Sequence, residues 1–309
     1  MKNTLIILLG PTGIGKTDLA IDIALYFNTE IISCDSRQFY REMSTGTAVP
    51  SPGQLKKVKH HFIQHISVED YYSASNFEQD FTELSRRLFR HHNTVLMTGG
   101  SGLYIDAACG RIDNIPDVDP GVREKYKRKY QEEGLESIRQ ALSVLDPDYY
   151  RKVDLKNHKR ILRALEICET TGSPYSRFLQ GKGRNRDFKI LKTGLRMDRQ
   201  ELYERINRRV DIMIGRGLEE EARSMLPYRH SNALNTVGYK EFFMYFDGQI
   251  SRDKAIELIK RNSRRYAKRQ MTWWAKDRDI EWFHPAQKDD ILDYIRKETE
   301  DSDRNINSR

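Results

Sequence analysis

Eight residues near the start of the chain have the types and the spacing of a phosphate-binding loop. They match the pattern G-x-x-x-x-G-K-[ST] at every fixed position: Gly10, Pro11, Thr12, Gly13, Ile14, Gly15, Lys16 and Thr17. The glycines let consecutive backbone N–H groups turn toward an anion, and Lys16 adds a full positive charge. The Thr17 hydroxyl is placed to hold Mg²⁺ on bound phosphates. The loop therefore predicts a site for a phosphorylated small molecule with Mg²⁺ as cofactor, and by itself leaves open whether that molecule is ATP.

The acidic residue that usually completes a P-loop hydrolase is missing from its usual place. Such enzymes hold Mg²⁺ with an aspartate at the end of a second apolar strand. The candidate strand 94–98 is followed instead by the run GGSG at 99–102, and the only acid directly after an early strand is Asp35. Asp35 follows the short apolar segment 30–33, where it could also be a turn or N-cap carboxylate. This arrangement favours a transferase that uses a diphosphate as its leaving group.

The strongest charge bias lies near the C-terminal end of the sequence. The segment 252–278 holds ten basic residues against three acids, within a chain of net charge +8 and pI about 9.2. Arg261, Arg265 and Arg269 recur every four residues, so they share one helix face that can follow a phosphate backbone. The pair Trp273-Trp274 could stack on bases or anchor the helix to the core, and the core is favoured for at least one of them. The pattern predicts a nucleic acid partner.

These residues need a scaffold, and the hydrophobic pattern predicts which one. The segment 5–9 is continuously apolar and bounded by Gly10-Pro11, as in a strand that is covered on both faces. Apolar residues recur at helical spacing from Lys16 to Phe27, and segments 30–33 and 94–98 read as further strands around a helix at 75–92. This alternation predicts an α/β fold, a P-loop NTPase-like parallel sheet flanked by helices.

The sequence changes character at residue 115 and again near 188, which predicts a helical insertion domain. Residues 1–114 would form the first part of the α/β core, 115–187 the helical insertion, 188–290 the second part of the core with basic C-terminal helices, and 291–309 a polar tail. Helices are predicted at 121–133, 135–145 and 157–171, then, after a strand at 188–195, at 199–216, 217–226, 235–247 and 251–277. The tail from about 297 is expected to be disordered.

Length and composition indicate the number of domains and the cellular compartment. A chain of 309 residues is expected to form about two domains, and it can bury a full hydrophobic core without disulfides or metals. The apolar run 5–9 is too short for a signal peptide, and no run approaches the ~20 residues that cross a bilayer. Cys34, Cys109 and Cys168 are far apart and form no CxxC pair. We expect a cytoplasmic protein with no membrane association.

Taken together, the motifs resemble those of the tRNA dimethylallyltransferase family, also called tRNA isopentenyltransferases or IPP transferases. The resemblance covers the chain from Leu8 to about Trp282, with its pieces in the order of the family. These pieces are Gly10–Thr17, Asp35–Tyr40, Gly46–Ala48, His60-His61, Gly99–Tyr104, Arg160–Glu166, Gly217–Glu221 and Val237–Glu241. Each would be weak alone, but the ordered set is specific. The sequence lacks the zinc finger of cytosolic eukaryotic members, so it resembles the bacterial type.

The resemblance implies transfer of a dimethylallyl group from dimethylallyl diphosphate to N6 of the adenosine immediately 3′ of the anticodon in tRNA, with release of diphosphate. It implies that Asp35 is the general base and that Lys16 and Thr17 assist the leaving diphosphate, which Arg205 or Arg209 can also reach. The residues that match tRNA contacts of the family are Asp35, Ser36, Arg37, Gln38, Ser101, Arg123, Lys159, Arg160, Ile161, Leu162 and Arg163. Taken alone, the basic ones could be ordinary solvated charges. The expected partners are dimethylallyl diphosphate and the tRNA anticodon stem-loop, and the chain is expected to act as a monomer.

Three other functions remain as alternatives at this point. An adenylate isopentenyltransferase would prenylate free AMP or ADP with the same core, but it would not need the insertion at 115–187 or the basic C-terminal helix. A P-loop small-molecule kinase, or an RNA-binding NTPase switch, would need an acid at the end of the strand 94–98. The sequence therefore favours an RNA substrate and prenyl transfer.

Overall fold

The sheet of the protein is parallel throughout. The computed structural model describes residues 3–181 and 183–304. Its strands are β1 (Thr4–Leu9), β2 (Ile31–Ser33), β3 (His60–His61), β4 (Thr94–Gly99), β5 (Lys189–Leu195) and β6 (Ile280–Phe283). They form one six-stranded sheet in the order β3-β2-β4-β1-β5-β6, and every neighbouring pair is parallel. The predicted fold class is confirmed.

Helices connect and cover these strands. They are α1 (Lys16–Tyr26), α2 (Pro52–Lys57), α3 (Ala74–Leu88), α4 (Gly102–Ala108), α5 (Pro120–Leu145), α6 (Pro147–Tyr150), α7 (His158–Thr171), α8 (Arg199–Gly215), α9 (Leu218–Ser224), α10 (Tyr239–Phe246), α11 (Arg252–Trp274) and α12 (Lys288–Arg304). None of the helices in the described part of the chain combines the length and the apolarity that a bilayer crossing requires.

Strand β1 lies at the centre of the sheet, where its five apolar residues, Leu5 to Leu9, can be covered on both faces. All six of its residues are buried, and it is hydrogen-bonded to β4 on one side and to β5 on the other. In both pairs the C-terminal residue Leu9 is level with a glycine, Gly99 in β4 and Gly194 in β5. The strand order reverses at β1, and in open parallel sheets ligands bind beyond the strand ends at such a point. The phosphate-binding loop follows β1 directly.

The described residues pack as two compact units. One comprises the chain up to Cys109 together with the chain from Arg186 onward, and the other comprises Gly110–Asn185. The second unit is helical: α5 and α7 pack on each other around residues such as Ile138, Leu142 and Leu165. Within α5 the backbone of Gly134 leaves the helical region (φ 79°, ψ −172°), between the two helices that the sequence predicts there. Glycine suits this position because its φ is positive.

The polar tail predicted from residue 291 is replaced by helix α12. Ile291 and Ile295 lie one turn apart on this helix, and both are fully buried in the cluster that contains Ile6 and Leu8 of β1. Because two isoleucines among acidic and basic neighbours do not raise the average hydropathy much, the segment reads as polar although one narrow stripe of it belongs to the core. Residues 305–309, the end of the predicted tail, lie outside the described part of the chain.

Two strands and several short helices were not predicted from the sequence. Strand β3 has only two residues, and it is held because His60 and His61 pair with Ile31 and Ile32 of β2. Strand β6 has four residues and pairs with the C-terminal half of β5. Segments this short carry too little periodicity to be recognised without their partners.

Candidate active site

The loop between β1 and α1 is shaped by its glycines and by helix α8. Gly13 and Gly15 have φ of 81° and 101°, which favours glycine at both positions. A Cβ atom added at Gly13 would lie 2.9 Å from Cγ1 of Ile206, and one added at Gly15 would lie 3.1 Å from a guanidinium nitrogen of Arg205. Gly15 is also the N-cap of α1 and supplies no side-chain cap, so backbone donors at this helix start are available to an anion.

Lys16 and Arg209 bring two positive charges to this loop. The Lys16 ammonium donates hydrogen bonds to the carbonyl oxygens of Gly10 (2.8 Å) and Pro11 (2.9 Å). Burial, followed by the nearby Arg209 charge, lowers the pKa of Lys16 to about 8, although Asp35 opposes this shift. Burial likewise lowers the pKa of Arg209, again against the attraction of Asp35. Burial thus disfavours the charged forms of both side chains. An anion bound beside them would stabilise these charges and would therefore be held strongly.

A cavity of about 180 Å³ lies over the loop, and we call it the anion cavity. Its lining includes Lys16, Thr17, Arg205 and Arg209, together with Asp35, which is the one carboxylate among the described residues that line it. Arg205 also donates from Nε to the Gly13 carbonyl at 3.2 Å, which ties α8 to the loop. Three cations against one acid suit a ligand with several negative charges.

A second cavity of about 420 Å³ adjoins the first. We call it the base cavity, because its partly apolar and partly polar lining would suit a nucleobase. The two cavities share Thr12, Asp35 and Arg209. One part of the second wall is apolar and comes from α8, α9 and α11, with Ile206, Val210, Met213, Leu218 and Ile259. The other part is polar and basic, with Arg37, Asn262, Tyr266, Arg265 and Arg269. Asp35 therefore lies where a phosphorylated group in one cavity and a polar ring in the other would meet.

Asp35 sits in a tight turn just after β2. Its Oδ1 accepts the backbone N–H of Arg37 at 3.0 Å, and its carbonyl oxygen accepts the N–H of Gln38 at 3.1 Å. The carboxylate is thus a turn residue, as the simpler interpretation of the sequence allowed, and it also lines both cavities. The hydrogen bond to one oxygen fixes the orientation of the carboxylate.

Ser36, Gln38 and Ser101 lie beside Asp35, at the C-terminal ends of β2 and β4. Ser101 Oγ accepts the backbone N–H of Ser36 at 3.0 Å and donates to Ser36 Oγ at 3.1 Å. The Gln38 amide donates to the carbonyl oxygens of Thr47 (3.2 Å) and Ala48 (3.0 Å). Burial raises the pKa of Tyr266 to about 12, so this phenol beside Ser101 stays protonated and can donate a hydrogen bond. The predicted residues 35–38 and 101 are therefore one connected group.

Gln270 is a site residue that sequence reasoning missed. Its side chain is 6% exposed, receives the backbone N–H of Thr12 at 2.9 Å and donates to the Gly100 carbonyl at 2.7 Å. It joins α11 to the phosphate-binding loop and to the segment after β4. The available signal was a polar residue on the face of α11 that also carries Ala267 and Trp274, which are buried.

Glu221 is a second residue that was missed, although its motif was noted. Its carboxylate accepts the backbone N–H groups of Ser44, Thr45 and Gly46 at 3.0, 2.7 and 2.8 Å, and the Tyr239 hydroxyl at 2.6 Å. The Tyr239 ring packs so closely on Gly46 that a Cβ there would lie 2.5 Å from the phenol oxygen. Glu221 therefore fixes the turn whose next carbonyls hold Gln38.

The remaining predicted contact residues lie in the helical unit. Lys159 and Arg160 are exposed at the start of α7, whereas Arg123 and Arg163 are partly buried and face Glu166, at 3.8 and 3.9 Å. Burial raises the pKa of Glu166 against the attraction of both arginines. Ile161 is fully buried in the core of this unit, with Leu162 packed against the same core. The Ile161 side chain faces the core. It therefore belongs to the predicted contact segment only through its exposed neighbours Lys159 and Arg160.

The Thr17 hydroxyl contributes an oxygen atom to the lining of the anion cavity. No group of three or more metal-ligating side chains occurs in the part of the chain that the structure describes. A hydroxyl is a hard oxygen donor, and Mg²⁺ is commonly held by one or two protein groups plus phosphates and water. The residues present therefore fit a Mg²⁺ ion that arrives with a phosphorylated ligand.

The chain is similar to known proteins along most of its length. The chain matches the model described as IPP transferase over residues 38–277. It is 54% identical to tRNA dimethylallyltransferase 1 of Bacteroides thetaiotaomicron over 293 residues, which cover 95% of each chain. It is 53% identical to tRNA dimethylallyltransferase 2 of Porphyromonas gingivalis over 294 residues, 95% of this chain and 98% of that one. The crystal structure of the full-length tRNA isopentenylpyrophosphate transferase from Bacillus halodurans superposes with a TM-score of 0.72 at 33% identity, covering 98% and 99% of the two chains.

Proposed function

The chain belongs to the IPP transferase family, and from this premise we propose that it transfers a dimethylallyl group from dimethylallyl diphosphate to N6 of the adenosine 3′ of the anticodon in tRNA. Diphosphate is the second product. The observation that carries the proposal is the position of Asp35, on the shared wall between a cationic cavity and a larger cavity with polar and basic lining.

In the proposed reaction, one bond forms and one breaks at the first carbon of the prenyl group. The N6 amine of adenosine attacks this carbon, the carbon–oxygen bond to diphosphate breaks, and the proton lost from N6 passes to the Asp35 carboxylate. Negative charge grows on the departing diphosphate, where Lys16, Arg205, Arg209 and the loop N–H groups stabilise it. The position of Asp35 in the lining of both cavities supports this role, because the two reacting groups would meet there.

Mg²⁺ is the proposed cofactor of this step. Thr17 would hold it on the diphosphate, together with the phosphate oxygens and water, which leaves the Asp35 carboxylate to act as the base. When bound, the ion neutralises part of the charge of the leaving group.

The tRNA would present its adenosine to the base cavity. A base that is stacked in the anticodon loop must be flipped out to reach an enclosed carboxylate. Arg37 and Ser36 flank Asp35 at the cavity, and the exposed Lys159 and Arg160 of the helical unit would contact the RNA backbone. We propose that the chain acts as a monomer. A tRNA substrate also implies a cytoplasmic enzyme.

A transfer assay distinguishes this function from its alternatives. Purified protein is incubated with labelled dimethylallyl diphosphate, Mg²⁺ and either an anticodon stem-loop or AMP. We expect label in the stem-loop only, and none when its target adenosine is replaced by guanosine, which has no N6 amine. Label in AMP but not in the stem-loop would replace the tRNA function by an adenylate isopentenyltransferase. Transfer of phosphate from ATP in the absence of prenyl transfer would indicate a kinase.

The low pKa of Lys16 predicts a pH dependence of diphosphate recognition. In the free protein this ammonium loses its proton as pH rises through about 8, so kcat/KM for dimethylallyl diphosphate should decline above that pH, by at most about tenfold per unit. The Lys16→Arg variant, which stays charged, should lack this decline whatever its absolute rate. Profiles measured between pH 6.5 and 9.5 at saturating stem-loop test the prediction, and parallel profiles for the two proteins would contradict it.

A further inference from the structure

An open groove runs along the solvent-facing side of α11. Its lining consists of Arg265, Lys268, Arg269, Thr272, Trp273 and Lys276. Four of these six residues are cations, and none is an acid. Such a surface attracts a polyanion, because each phosphate that binds releases condensed counterions.

Trp273 exposes its indole ring within this groove. Its side chain is 49% exposed, whereas the adjacent Trp274 is 3% exposed, so one member of the pair anchors the helix as predicted and the other does not. The exposed indole is also fixed in place. Its Nε1–H donates to Asp106 Oδ2 at 2.9 Å, and a Cβ added at Gly102 would lie 2.5 Å from its Cδ1 atom. A rigid, exposed aromatic ring among cations suits an unpaired nucleic acid base better than bulk water.

The groove continues into the base cavity. Arg265 and Arg269 line both, so an RNA strand that placed one nucleotide beside Asp35 would have its neighbours along the groove. The Arg269 guanidinium also lies over the Tyr266 ring, 5.6 Å from its centroid, which holds a cation at the junction.

We propose that Trp273 stacks on an unpaired base of the anticodon loop that adjoins the target adenosine, while the cations of the groove bind the phosphates of the same strand. This inference rests on the proposed function and adds a positioning residue to it. Trp273 would hold the loop after one of its nucleotides has been flipped out, compensating for the stacking that the loop loses.

The test compares two substitutions at this position with a matched control. Trp273→Leu should weaken binding of an anticodon stem-loop by about fivefold or more, and Trp273→Phe should recover most of that loss, because a smaller ring still offers a face for stacking. Tyr26→Leu removes another exposed aromatic residue, 52% exposed on α1 and outside both cavities and the groove, and should leave the affinity unchanged. Dissociation constants are measured at one fixed salt concentration.

Tryptophan fluorescence provides a second readout, in which the wild type is compared with the conservative variant Trp273→Phe. The chain has three tryptophans, and the stem-loop should quench emission in the wild type but not in Trp273→Phe. Quenching that persists in that variant, equal affinities for all proteins, or equal losses for Phe and Leu would overturn the inference. If the wild type transfers no prenyl group to the stem-loop, the proposed function fails instead, whatever Trp273 does.

Discussion

Asp35→Asn is expected to lower kcat for prenyl transfer by at least about 10²-fold while leaving the affinity for the anticodon stem-loop almost unchanged. Asparagine keeps an oxygen that can accept the Arg37 N–H, so the turn after β2 should persist. It cannot accept the proton that N6 must lose as the carbon–nitrogen bond forms. Single-turnover rates and binding isotherms, measured on the same preparation, separate the two effects.

A suitable control for this substitution is Asp18→Asn. Asp18 is exposed in the first turn of α1, close to the phosphate-binding loop in sequence, and lines neither cavity. It should retain full activity, which would show that the loss at Asp35 is not a general effect of removing one negative charge. Normal turnover of Asp35→Asn would exclude Asp35 as the base.

Lys16→Met should reduce kcat/KM for dimethylallyl diphosphate by about 10²- to 10³-fold, because it removes a preformed charge from the place where the leaving group becomes negative. Methionine matches lysine in length and flexibility, so the loop should keep its shape. Initial rates at limiting dimethylallyl diphosphate measure the effect, and the exposed Lys57→Met in α2 serves as the control.

The same substitution should not destabilise the fold. The pKa of Lys16 is lowered in the folded protein, so its charge disfavours folding at pH values below about 8, where lysine is protonated in both states. Thermal unfolding at pH 7 should therefore show an equal or higher Tm for Lys16→Met. A clear decrease in Tm would mean that the ammonium, through its bonds to Gly10 and Pro11, serves the structure more than the ligand.

The parts of the site that the sequence predicts are those that local patterns encode. The phosphate-binding loop and Asp35 each follow a short apolar strand. Because parallel strands bring their C-terminal ends to one edge of a sheet, the strand pattern predicts that the loop and Asp35 share an edge, and the structure adds that only β4 lies between their strands. Ser101 could be placed in the same way, after β4.

Residues that act over long distances in sequence were beyond this reasoning. Gln270 contacts Thr12 across 258 positions, and Glu221 contacts Ser44 across 177. The residues next to Gln270 and Glu221 in the sequence do not indicate which backbone groups these side chains contact. The burial of Ile291 and Ile295 was missed for a related reason, because their partners lie in β1 and α1 rather than in the C-terminal segment itself.

The backbone at the two ends of the helical unit has a consequence for how such proteins diversify. The N–H of Arg184 donates to the carbonyl oxygen of Gly110 at 2.7 Å, so the outgoing and returning segments are directly paired. A module attached through two adjacent chain ends resembles a single long loop, whose closure entropy grows only slowly with length. Evolution can therefore enlarge, trim or exchange this module while the register of the six strands and the position of Asp35 stay as they are.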